Sequence, residues 1–188
     1  MLLKPESNVN RRSLHLITLG LLVAGLVLAQ RAARALTLED LERDSKLTPS
    51  RFARYFADFN YCFHAEVQRP EVFLATQSGD CDDYAILAAQ VLHAKGYTTR
   101  LISVRMPGLI HVVCYVAETK CYLDFNNRVY LKRTVGSDGS LPDIARKVAK
   151  SFDTHWASAA EFTYDHEVKR LVTTVAADTI KLAAAARP

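Results

Sequence analysis

Three residues of reactive type occur in an order that nucleophilic chemistry can use: Cys81, His111 and Asp124. Cys81 lies in the stretch QSGDCDDYA, between a glycine turn and a run of aspartates, whereas a structural cysteine more usually sits among apolar residues. The next segment, from Asp82 to Lys95, is rich in good helix formers and closed by Gly96, so a helix begins at the cysteine. Asp80 or Ser78 is then the N-cap, and Gly79 provides a tight entry. Backbone N–H groups and the positive end of the helix dipole point toward such a side chain, and both favour thiolate over thiol. The carboxylates of Asp80, Asp82 and Asp83 oppose that charge, so an activated thiol here needs a cationic partner.

A hairpin downstream offers one. The stretches IHVVCYV and CYLDF read as two antiparallel strands joined through residues 117–120. His111 starts the first and Asp124 ends the second, and any register that pairs odd with even residue numbers puts both on one face, directly opposite or diagonal. The carboxylate can then hold the imidazole by one nitrogen while the other faces the sulfur, the arrangement of an activated thiol nucleophile. Cys114 and Cys121 obey the same parity on the other face. They form a cross-strand disulfide if the register sets them directly opposite, and two buried thiols otherwise.

The elements that must position these residues can be read from patterning. TPSRFARYFADFNYCFH spaces Phe52, Tyr55, Phe56, Phe59 and Phe63 at helical intervals, which predicts one amphipathic helix with Cys62 and His64 as packing residues at its end. Arg69 through Gly79 reads as an extended connection ending in a turn. The helix after Cys81 is apolar nearly all round, through Ala85, Ile86, Ala88, Ala89, Val91 and Leu92, and should be the central buried one. YTTRLISVRM reads as a strand turned at Pro107-Gly108. Beyond Asp124 the pattern predicts a short helix near Leu141–Phe152, a strand around Trp156–Tyr164 and an Ala-rich helix from Glu167. Helices first and an antiparallel sheet after them make an α+β domain.

The first 35 residues read as a separate object. Arg11 and Arg12 precede the apolar run Leu14–Ala29, and Ala33-Arg34-Ala35 supplies an A-x-A cleavage site, the build of an export leader. The run is shorter than the roughly 20 residues of a spanning helix, so no stable membrane insertion is expected once it is cleaved. Its removal takes five basic residues and one acidic one from totals of 24 and 20, leaving 19 of each. Residues 36–188 are formally neutral, which gives no support to a nucleic-acid or anionic-membrane surface on the folded domain. The four cysteines would lie in an oxidising, periplasmic or extracellular compartment, and they contain no C-x-x-C pair of the kind structural zinc sites use.

GDCDDYAILAAQVLHAKGY, a strand, HVVCYV and then YLDFNN together resemble the transglutaminase-like superfamily, in the wording of its bacterial cysteine proteinases. The resemblance covers roughly Pro70 to Asn127. It implies a transglutaminase-like, papain-like fold with the nucleophile at the N-terminus of a buried helix packed on an antiparallel sheet, and a triad of Cys81, His111 and Asp124. It also implies acyl transfer on a protein or peptide substrate without a cofactor. Water as acceptor makes a peptidase or amidase, an amine makes a cross-linking transferase, and the loop-poor chain favours hydrolysis because a transferase must exclude water. Some relatives bind calcium through acidic residues flanking the cysteine, the positions of Asp80 and Asp82, though two carboxylates are few for a cation that takes six to eight oxygens, so no metal is expected. The backbone N–H of Cys81 is the first candidate oxyanion donor, and the side chain of Gln77 the second. Val112 after the histidine, and Phe125 after the aspartate, depart from the family's usual neighbours and bear on the substrate site. Two alternatives keep the same residues: an idle domain that binds peptide or cell-envelope material, and a mononuclear metal site made by Cys81, His111 and Asp124.

Overall fold

A computed structural model of the chain describes residues 35–130 and 133–178. The expected leader therefore lies, apart from Ala35, outside the described residues.

Short helices open the domain: α1 (Leu38–Arg43), α2 (Pro49–Tyr55) and α3 (Pro70–Thr76), the first two capped by Thr37 and Thr48. The single long helix expected after Thr48 stops at Tyr55. Beyond it the chain turns and lays strand β1 (Asn60–Tyr61) parallel to β2 (Ser78–Gly79). Phe52, Phe56 and Phe59 are buried as the spacing predicts, while Phe63 is 73% exposed and Cys62 is exposed as well, because both lie beyond the turn. The connection expected to be extended between Arg69 and Gly79 contains α3, started by Pro70 at its first turn and buried through Phe73 and Leu74.

The central helix, α4 (Cys81–Ala94), is covered on nearly every side. Its residues Tyr84, Ala85, Leu87, Ala88, Val91 and Leu92 join an aromatic cluster of Phe52, Phe56, Phe73 and Phe125.

α4 packs on a six-stranded antiparallel sheet of β3 (Thr99–Met106), β4 (Leu109–Val116), β5 (Cys121–Leu123), β6 (Thr134–Gly136), β7 (Ser158–Asp165) and β8 (Val168–Ala176), in the order β6-β5-β4-β3-β7-β8. Leu101, Val112, Cys114, Val116 and Phe162 face α4. Ile102, Val104, Val113 and Ala159, alternating with them, face α5 (Leu141–Ser151) on the other side. The architecture is α+β, as the pattern implied. Over Val168–Ala176 the Ala-rich helix expected from Glu167 is instead β8, since the β-branched residues of VKRLVTTVA pair along β7; the alanines of residues 183–186 lie outside the described residues.

Candidate active site

The cysteine's position is built by its neighbours. Asp80 caps α4: its carboxylate accepts from the backbone N–H of Asp82 at 3.2 Å and from that of His64 at 3.0 Å. Asp83 answers by accepting from the Asp80 N–H at 3.0 Å, closing a capping box. Asp83 is itself held by Gln68, whose backbone N–H and side-chain Nε2 donate to it at 2.7 and 2.8 Å. Gly79 is required for room rather than for a left-handed turn, because a Cβ there would sit 2.5 Å from Asp83 Oδ2 and 2.6 Å from the Phe73 ring. The positive φ that the entry needs falls on Gln77, at 51°. Gln77 is exposed and spends its carbonyl on the Asn60 N–H, at 2.8 Å.

His111 and Asp124 meet across the hairpin. β4 and β5 pair Cys114 with Leu123 and Tyr115 with Tyr122, an odd-with-even register that sets Asp124 diagonal to His111. His111 Nε2 and Asp124 Oδ1 are 2.9 Å apart and both residues are buried. Asp124 is fixed in turn by the Asn126 N–H at 2.8 Å and by Asn127 Nδ2 at 3.4 Å, in the 3-10 turn Phe125–Asn127. The same register overturns the disulfide. Cys121 faces Val116 rather than Cys114, so the two thiols are diagonal, and all four cysteines are free.

Cys81, partly accessible to solvent, is close enough to His111 to favour the charged form of its ring. With Nε2 committed to Asp124, Nδ1 is the nitrogen left for the sulfur. The Phe152 ring closes a third side of His111, edge-on at 4.9 Å between centroids. Burial acts against the His111 proton, but the hydrogen bond with Asp124 and the interactions with Asp124 and Cys81 outweigh it and carry its pKa up to about 10.

One oxygen from each of Asp80, Asp82 and Asp83 lies within 4.8 Å of the others. Burial first, then Asp80 and Asp83, push the Asp82 carboxyl up to about 8. Tyr61, exposed, is raised by partial loss of solvent and by the charges of Cys81 and the aspartates, which places it at the rim of the same site.

Two contributors escaped the pattern. Arg128 donates to the carbonyls of Phe56, Phe59 and Phe125, and lies 3.5 Å over the Phe125 ring, tying the turn after Asp124 to the start of the domain. Lys169, on β8, is close enough to Cys81 and Asp82 to interact with their charges. Neither has a motif, and their partners are distant in the chain. Among the described residues no helix is long and apolar enough to cross a membrane.

The family described as "Transglutaminase-like domain" matches residues 34–130, just over half of the chain. No curated protein matches it. Among solved structures, calcium-bound LapG of Legionella pneumophila matches at 18% identity and a TM-score of 0.46, covering 71% of this chain and 75% of that one.

Proposed function

The chain belongs to the transglutaminase-like domain family, and from that premise we propose a thiol acyl-transfer enzyme acting on peptide or amide bonds, with Cys81, His111 and Asp124 as its catalytic residues. The observation that carries this is His111 bonded through Nε2 to Asp124 and close enough to Cys81 for the sulfur to favour its charged form. Three such residues on a helix start and a following hairpin have no packing reason to converge.

The reaction begins with His111 as imidazolium and Cys81 as thiolate. The sulfur adds to the carbonyl carbon, and the oxyanion meets the Cys81 backbone N–H, one of the donors that a helix N-terminus leaves unsatisfied. His111 gives its proton to the departing amine as the C–N bond breaks, leaving a thioester on Cys81. Water then loses a proton to His111 and attacks the thioester, which releases the acid and restores the ion pair. Asp124 orients the ring and offsets its charge throughout. Partial exposure of Cys81, with Tyr61 and Phe63 open to solvent beside the entry strand, supports hydrolysis over transfer to an amine.

The residues that would hold a calcium ion are Asp80, Asp82 and Asp83. As a donor set they fit, since three packed carboxylates that form no salt bridge among the described residues crowd one another, and the ion would relieve that charge and stiffen the start of α4. Residues 1–35 complete the reading as an export leader, which N-terminal sequencing of protein recovered from the cell envelope tests.

His111→Ala tests the triad. Peptide-amide turnover should vanish, and iodoacetamide labelling of Cys81 at pH 7 should slow at least tenfold, with the circular dichroism unchanged. Full turnover in that variant overturns the triad, and labelling equally slow in both proteins marks an idle binding domain.

A further inference from the structure

β8 is one edge of the sheet, and its register with β7 sets Lys169 opposite Tyr164 and Leu171 opposite Phe162. Residues directly opposite share a face, and Phe162 belongs to the core beneath α4, so Lys169 rises on the face where Cys81 lies. Its Nζ sits 4.0 Å from the Phe162 ring centroid. Arg105 has the same parity as Leu101, which also faces α4, and it pairs with Ile110, the residue before His111. Lys169 is near enough to Arg105, Asp82 and Cys81 for their charges to interact. Among the described residues neither cation makes a salt bridge or a side-chain hydrogen bond. Two like charges, both exposed and neither in a salt bridge among the described residues, therefore lie within electrostatic reach of one another and Lys169 within reach of Cys81.

We propose that Lys169, assisted by Arg105, is a specificity-determining residue that selects acyl donors carrying a carboxylate close to the reacting carbonyl. This rests on Cys81 as the nucleophile. An ammonium lying on an aromatic face and held in no salt bridge keeps its charge available, and a carboxylate brought to it gains a charge-assisted contact and a steered approach. The carboxylate comes either from an Asp or Glu side chain or from a free C-terminus, since both present the same group.

The test uses the full chain and two reagents of nearly equal shape, anionic iodoacetate and neutral iodoacetamide. Alkylation of Cys81 is followed by peptide mass spectrometry against a cysteine peptide free in solution. The iodoacetate-to-iodoacetamide rate ratio at Cys81 should exceed that of the free peptide about fivefold at low salt and shrink as salt is added. Lys169→Gln should remove most of this excess, and Lys169→Glu should turn it into a deficit. An unchanged ratio in Lys169→Gln overturns the proposal, and so does equal slowing of both reagents, which would assign Lys169 to support of Asp82 and the fold. Peptides that protect Cys81 from iodoacetamide separate the two sources: a Glu-containing peptide with an amidated end against a neutral peptide with a free C-terminus. Equal protection by a neutral, amidated peptide also overturns it. Because the ratio needs only a thiol, anion preference at a slow Cys81 would fail the triad alone, and a fast Cys81 without preference would fail this proposal alone.

Discussion

Replacing Asp124 by Asn keeps the shape of the side chain and removes its charge, which isolates what the carboxylate does to His111. The ring's pKa of about 10 stands far above the ordinary 6.5, a preference for the imidazolium on the order of several kcal/mol. That preference survives a burial that acts against it, and the Asp124 hydrogen bond is the largest of the contributions that raise it. With Asn in place burial prevails, and the His111 pKa should fall to 6.5 or below. At pH 7.5 the ring is then mostly neutral, the ion pair with Cys81 is lost, and turnover drops by roughly 10³- to 10⁴-fold. NMR titration of the imidazole resonances reads the change directly, with His111 identified among the six histidines by its loss in His111→Gln. Stability supplies an independent check on the sign. A native pKa raised above the unfolded one contributes stability that is complete below pH 6.5 and lost as the pH climbs through about 10. The native protein should therefore lose Tm across that window, and Asp124→Asn should start lower and stay flat. A variant whose His111 still titrates above pH 9 would refute the assignment of that charge to Asp124.

Other consequences rest on single contacts. Gly79→Ala forces a methyl against Asp83 Oδ2 and the Phe73 ring, so urea unfolding should show a loss of about 2–4 kcal/mol and slower Cys81 labelling. Tyr84 is fully buried, and among the described residues its hydroxyl has no hydrogen-bond partner, so Tyr84→Phe should leave stability unchanged or raise it by about 1 kcal/mol in the same assay. Millimolar calcium should raise Tm relative to chelator by relieving the crowding of Asp80, Asp82 and Asp83, and Asp82→Asn should abolish that response. An equal calcium response in Asp82→Asn would assign the effect to other oxygens.

What was legible in the chain was what two-residue and helical periodicity can encode. The parity of 111 and 124 is independent of the exact register, so a shift from direct to diagonal pairing left His111 and Asp124 on one face. The disulfide depended on that register and failed with it. Phe52, Phe56 and Phe59 announced their burial, yet not the end of their helix, because what stops α2 at Tyr55 is β1 pairing with a strand 18 residues further on. At that ladder Cys62 N–H donates to the Gly79 carbonyl at 2.8 Å, and Gly79 is the residue that lets Asp83 close over the start of α4. The loop that looked like a failed helix is thus the brace that aims Cys81. Arg128 and Lys169 lie beyond local inference for the same reason: their charge is visible in the sequence, but the carbonyls and ring that use it are supplied by segments the fold brings from elsewhere. The chemistry proposed for this site is written locally in three residue types, and its positioning is written in long-range contacts around a glycine and an arginine outside the proposed triad.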